Sequence, residues 1–153
     1  MALPDTIRHK SNFKRSTPAG FDGAMHYDWI NEAFSDTRIT GTDFDCVVER
    51  WGHFLIIESK DEKKKVPRGQ IITLSRLWAA GKCTVFFSSP KDRPEIIHVV
   101  WERELEYDPE THYIQDFREA MGLVSRWRRI AERSPCETPV RRKVKEFFNN
   151  LSE

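Results

Sequence analysis

The chain contains no apolar run near the ~20 residues that a bilayer-crossing helix requires. Its first seventeen residues, MALPDTIRHKSNFKRST, lack the apolar stretch of a secretory signal. Both absences point to a chain that works in the cytoplasm and makes no contact with a membrane. Cysteine is scarce: Cys46, Cys83 and Cys136 are far apart, odd in number and form no C-x-x-C pair. A disulfide framework and a zinc knuckle are therefore not expected. Seven glycines are too scattered to build a phosphate-cradling loop, and no Ser-His-Asp or Cys-His order can be read. His26, His53, His98 and His112 are dispersed, which suits structural or surface roles. Internal repeats and low-complexity tracts are also missing.

What is present is enough to fold. The 153 residues are 39% hydrophobic and 12% aromatic, with five tryptophans, which favours one domain with a sizeable core. Net charge is only +1, yet it is segregated along the chain. Residues 1–20 carry +3, 21–62 carry −7, 63–90 carry +6, 91–119 carry −5 and 120–153 carry +4. Folding such blocks together can place an acidic pocket beside basic flanks, an arrangement suited to metal-assisted chemistry on a polyanion. An ordinary solvated surface would give the same blocks.

Periodicity predicts the order α-β-β-α-β-β-α-α. Residues 1–20 read as a basic arm. AMHYDWINEAF (24–34) has helical spacing, and DFDCVVERW and HFLIIESK read as two strands. Pro67 opens a helix, PRGQIITLSRLWAAG, that Gly81 closes. KCTVFFSS (82–89) reads as an internal strand and EIIHVVWERELEY (95–107) as a fourth, followed by a DPET turn. Residues 113–133 read as a long helix with an apolar stripe of Ile114, Phe117, Met121, Val124, Trp127 and Ile130. A short basic helix follows, with Val140, Val144, Phe147 and Phe148 on its apolar side. The expected organisation is an arm (1–20), an α/β domain around a mixed sheet (21–134), and a C-terminal basic helix (135–153) packed on that domain.

The two strands around Trp51-Gly52 carry the chemistry. A two-residue hairpin loop there makes paired positions sum to 103, so Asp45 faces Glu58, and Lys60 shares their face. Two opposed carboxylates destabilise a strand pair. A raised pKa on one acid, neutralisation by Lys60, or a divalent cation between them can relieve the repulsion. The cation accounts for both acids, whereas a salt bridge requires only one.

An acid at the start of one strand, followed by Glu-Ser-Lys at the end of the next with twelve residues between the acids, resembles the PD-(D/E)XK nuclease superfamily. The run DFDCVVERWGHFLIIESK is similar to RecB-type and small phage-like nuclease modules, and Gln70 matches a glutamine that opens their following helix. The likeness covers roughly residues 24–90. It departs from the pattern at Cys46, where many relatives carry glycine, and at Leu74, where a tyrosine often stands.

This resemblance implies a restriction-endonuclease-like core, α-β-β-α-β with a mixed sheet flanked by helices and a C-terminal helical extension. It implies a Mg²⁺- or Mn²⁺-dependent deoxyribonuclease, with endonuclease action favoured. Asp45, Glu58 and the backbone carbonyl of Ser59 would be metal ligands, with Glu32 as a further acid ahead of Asp28 and Asp36. Lys60 and Gln70 would complete the catalytic set, and Asp43 would support Lys60. DNA would meet Lys63, Lys64, Lys65 and Arg68 beside the catalytic strand. Arg126, Arg128, Arg129 and Arg133 on the long helix, and Arg141, Arg142 and Lys143 on the last, would add contacts. A homodimer would allow both strands to be cut. A non-cleaving nucleic-acid-binding or protein-interaction module on the same fold is the competing expectation, and a structural or accessory protein with coincidental matches is the third.

Overall fold

The computed structural model describes residues 32–37, 44–61, 63, 65–91, 93–136 and 140–151. The chain divides into two units, Met1–Gly41 and Thr42–Glu153. In the first, residues 32–37 form a helical turn, with the Ser35 and Thr37 amides donating to the Glu32 and Phe34 carbonyls. The remainder of the helix expected over 24–34, and the arm over 1–20, lie outside the described residues.

The second unit is built on five strands in sheet order β1-β2-β3-β4-β5. Strands β1 (Cys46–Arg50) and β2 (His53–Ser59) are antiparallel, and every pair in their register sums to 103. Trp51 (φ 50°) and Gly52 (φ 82°) both take positive φ, the signature of a two-residue turn whose twist matches the strands. Tryptophan is an uncommon choice there. It is held by the Arg50 guanidinium 4.6 Å above its ring and by the Cys136 amide, which donates to its carbonyl at 2.8 Å. Gly52 has no substitute, because a Cβ there would collide with Cys136.

Helix α1 (Arg68–Ala80) links β2 to the parallel strand β3 (Cys83–Ser88), a crossover that parallel pairing requires. It starts at Pro67 and stops at Gly81 (φ 100°), as the sequence suggested. Strand β3 is central, with β2 on one side and β4 (Ile96–Val100) on the other. The expected long fourth strand is shorter than predicted. After Val100 the chain leaves the sheet through Trp101 and a 3₁₀ turn at Arg103–Leu105, and Glu106 takes φ 55°. It then returns as β5 (Glu110–Tyr113), antiparallel to β4. This strand lies where the sequence pattern predicts the DPET turn and the start of the long helix.

Helix α2 (Phe117–Arg133) therefore begins four residues later than expected. Asp116 and Glu119 form a capping box: Asp116 accepts from the first-turn backbone, and Glu119 accepts from the Asp116 amide. The face that α2 buries also differs. Ala120, Leu123, Trp127 and Ala131 are buried, while Phe117, Met121 and Val124 are exposed. Of the expected stripe, Trp127 is buried and Ile114 and Ile130 pack against the core, whereas Phe117, Met121 and Val124 are turned outward and Ala120, Leu123 and Ala131 take their place.

The two faces of the sheet carry separate cores. Leu55, Phe86, Ile97, Val99 and Trp101 pack against α2, and Ile56, Cys83 and Val85 pack against Leu74 of α1. Trp101 is anchored edge-on against Phe86 at 5.9 Å. Truncating a fully buried member such as Leu55 costs about 2–5 kcal/mol. Cys83 shows how dry the α1 layer is: burial, and then the charge of Glu102, push its thiol up to about 11. The last helix, α3 (Arg142–Leu151), buries none of its residues. Val144, Phe147, Phe148 and Leu151 are exposed, so the expected packing of this apolar side on the domain is not seen.

Candidate active site

Alternation along β2 sends His53, Leu55 and Ile57 towards α2, and Ile56 and Glu58 towards α1. Glu58 is only 4% exposed, so its charge must be paired or hydrogen-bonded. Three donors meet it. Lys60 Nζ lies 3.1 Å from Oε1, Gln70 Nε2 lies 2.5 Å from the same oxygen, and the Asp45 amide lies 3.4 Å from Oε2. Lys60 is fixed through its own amide, which donates to the Ser88 carbonyl at 2.8 Å and extends the β2–β3 pairing by one residue.

Asp45 lies just past the β1 ladder, which ends at the pair Cys46–Ile57. Its Oδ2 accepts from the Ser59 amide at 2.7 Å. Each acid therefore caps the backbone at the other's strand end. This exchange replaces the ladder bonds that would otherwise continue between Asp45 and Glu58, and it brings both carboxylates to one strand terminus. Gln70 stands in the first turn of α1, a turn with no acidic residue of its own. The Glu58 carboxylate beside it supplies the negative charge that a helix N-terminus favours.

The cluster has unfilled bonding capacity. Because Glu58 only accepts, Gln70 must turn its NH₂ towards it, which fixes the amide orientation. Gln70 Oε1 is then buried with no hydrogen-bond partner. Two other buried side-chain atoms share that condition among the described residues, the indole nitrogens of Trp101 and Trp127. Asp45 Oδ1 also makes no hydrogen bond among the described residues, and Lys60 commits one of its three donors. Two carboxylates and one ammonium leave the trio with a single net negative charge.

This donor set fits a hard divalent cation. Mg²⁺ binds through one or two carboxylates and keeps several waters, so Asp45, Glu58 and a backbone carbonyl suffice. Among the described residues there is no group of three or more His, Cys, Asp or Glu placed to hold a metal. Glu32 and Asp36 belong to the other unit, and Asp28 and Asp43 lie outside the described residues.

The expected DNA-contacting residues divide by position. Lys63, Lys65 and Arg68 follow the site in the chain; Arg68 and Lys65 are exposed, and the Lys63 amide closes a turn on Asp61. Lys64 lies outside the described residues. Arg126 and Arg129 belong to α2, which packs on the face of the sheet opposite Glu58, so the structure does not bring them to the site. Arg126 is also committed elsewhere. It pairs with Glu110 at 3.2 Å and lies 4.3 Å over the Trp101 ring. Arg128 pairs with Glu132 at 2.9 Å, Arg129 and Arg133 are exposed on α2, and Arg142 pairs with Glu146 at 3.4 Å. Arg141 and Lys143 are exposed at the start of α3.

Sequence reasoning missed what lies beside Lys60. A pocket of about 260 Å³ opens there, with Ile71, Phe87, Ile96 and His98 among its walls. Only the registers of β3 and β4 reveal it, because they place Phe87 next to Glu58 and His98 next to Phe87.

No protein-family model matches this chain, and no curated protein or solved structure matches it.

Proposed function

We propose that this protein is a metal-dependent nuclease that hydrolyses DNA phosphodiester bonds, acting on internal bonds, with a restriction-endonuclease-like core. The observation that carries this reading is the meeting of Asp45, Glu58, Lys60 and Gln70 at one strand terminus, with hydrogen-bonding capacity left over. The parallel β2-α1-β3 unit, which places Gln70 over Glu58, supports the fold assignment.

Asp45, Glu58 and the Ser59 carbonyl would hold Mg²⁺ or Mn²⁺. When bound, the ion supplies a more acidic water and neutralises charge on the phosphate. Lys60, 27% exposed and held by Glu58, keeps two N–H donors for phosphate oxygens or the attacking water. Its ammonium is fixed before the reaction, so it can stabilise the developing charge without reorganisation. Gln70 Oε1 would accept a hydrogen bond from that water or from Lys60 and orient whichever it holds. Lys63, Lys65 and Arg68 bind the DNA backbone next to the scissile bond, in a salt-sensitive and sequence-independent manner.

Incubation with linear, circular, branched and single-stranded DNA in Mg²⁺, Mn²⁺ or EDTA tests this. The expected result is cutting that needs the metal and falls by about 10²–10³-fold in Lys60→Ala, and at least as far in Glu58→Gln. Circular dichroism would show both variants folded. Cutting that survives both substitutions removes the site assignment. Binding without cutting under every condition supports a non-cleaving DNA-binding module instead.

A further inference from the structure

The pocket beside Lys60 has a composition unlike that of the acidic cluster. Glu58, Phe87 and His98 occupy one row across β2, β3 and β4, so the pocket continues the site along the same face of the sheet. Its walls are mainly apolar, from Ile71 of α1 and from Phe87 and Ile96 of the sheet. Ser89 also lines it, but its hydroxyl already accepts from the Glu95 and Ile96 amides. His98 uses Nδ1 on Thr111 Oγ1 at 2.9 Å, which leaves Nε2 for another partner. The volume of about 260 Å³ falls below the ~300–1,000 Å³ of drug-sized sites. It therefore suits one ring system.

A phosphate does not need such a space, whereas an unstacked base would fill it. It buries its faces against Phe87 and the isoleucines and offers its edge to His98, while its phosphate remains at Lys60. We infer that this pocket receives one unpaired nucleobase next to the scissile phosphate, so that the preferred substrate is DNA with an unpaired or splayed nucleotide. The inference rests on the nuclease reading of the neighbouring cluster and names its substrate class. Base–aromatic stacking is sequence-tolerant, so little base preference is expected.

Simple electrostatics predicts the opposite order, because paired DNA has the higher charge density. Fluorescence anisotropy in EDTA, where no hydrolysis occurs, separates the two. A duplex with one unpaired nucleotide should bind about ten-fold more tightly than the fully paired duplex, within the range that one stacked base provides. Ile71→Trp, which fills the pocket, and His98→Ala, which removes one wall, should each reduce that ratio to about one. If Ile71→Trp fails to fold by circular dichroism, His98→Ala carries the test. Equal or tighter binding of the paired duplex would overturn the inference, as would an unchanged ratio in the folded variants. Failure of the nuclease reading is scored separately, as absence of cleavage in Mg²⁺ or Mn²⁺. A preference for the unpaired nucleotide without cleavage would support the pocket and remove the enzyme.

Discussion

Strand β2 carries a buried polar cluster at each end, and the two are built on different principles. At the hairpin end, His53 and Glu102 are 0% and 2% exposed. His53 Nδ1 lies 2.6 Å from Glu102 Oε2, and its Nε2 lies 2.5 Å from the Ser134 carbonyl. The Glu102 amide in turn donates to Thr84 Oγ1 at 3.1 Å. Both ring nitrogens face oxygen atoms at hydrogen-bonding distance, so each ring nitrogen is engaged. At the other end, Glu58 is nearly as buried, but Gln70 Oε1, Asp45 Oδ1 and two donors of Lys60 have no partner among the described residues. A closed network ties β2, the end of β4 and the end of α2 together. The open one leaves acceptors and donors unfilled at the end of the strand.

This contrast can be broken from either side. The largest effect on stability belongs to the closed cluster. Glu102→Ala leaves His53 buried without its carboxylate and should cost about 3–5 kcal/mol in chemical denaturation. Replacing both partners with apolar residues, as in His53→Leu with Glu102→Met, should recover much of that loss. Equal losses in the single and double variants would show that the pair is not the relevant unit. An intermediate effect is expected at Gln70. Gln70→Met removes an unpartnered buried oxygen together with one hydrogen bond to Glu58, so stability should change by about 1 kcal/mol or less. Metal-dependent cutting should fall by about ten-fold or more. A large stability loss with unchanged cutting would make Gln70 a structural residue.

The smallest effect belongs to the surface. Hydrogen bonds from Arg128 and Arg50 hold the Glu132 carboxyl below the usual 4.5 of a glutamate. A group depressed in this way contributes stability above its unfolded pKa and loses it as the pH falls. Wild type should therefore melt slightly above Glu132→Gln at neutral pH. The gap should close on acidification below about pH 4.5, as read by thermal scans. A gap that is constant with pH would mean that the two arginines are not the cause.

Local chemistry made part of this legible in advance. Trp51-Gly52 sets the hairpin register, and that register puts Asp45, Glu58 and Lys60 on one face from the sequence alone. Pro67 and Gly81 bounded α1, and the apolar run at Cys83–Ser88 marked the central strand. Strand β5 was not legible, since ETHY has no apolar alternation and becomes a strand only by pairing with β4. The apolar period of α2 locates Trp127, Ile114 and Ile130 on the packed side, but it does not reveal that Ala120, Leu123 and Ala131 are buried in place of Phe117, Met121 and Val124. The start of that helix was readable, however, from Asp116 and Glu119. The unpartnered oxygen of Gln70 and the pocket at His98 depend on how β2, β3, β4 and α1 assemble, and no single segment encodes them.

The central claim is that the open cluster grips a divalent cation. Titration of Mn²⁺ by isothermal calorimetry into wild type, Asp45→Asn and Glu58→Gln tests it most directly. The expected result is one saturable site in wild type that is lost in both variants, each still folded. Identical Mn²⁺ binding by all three proteins, or no saturable binding by wild type, would contradict the claim.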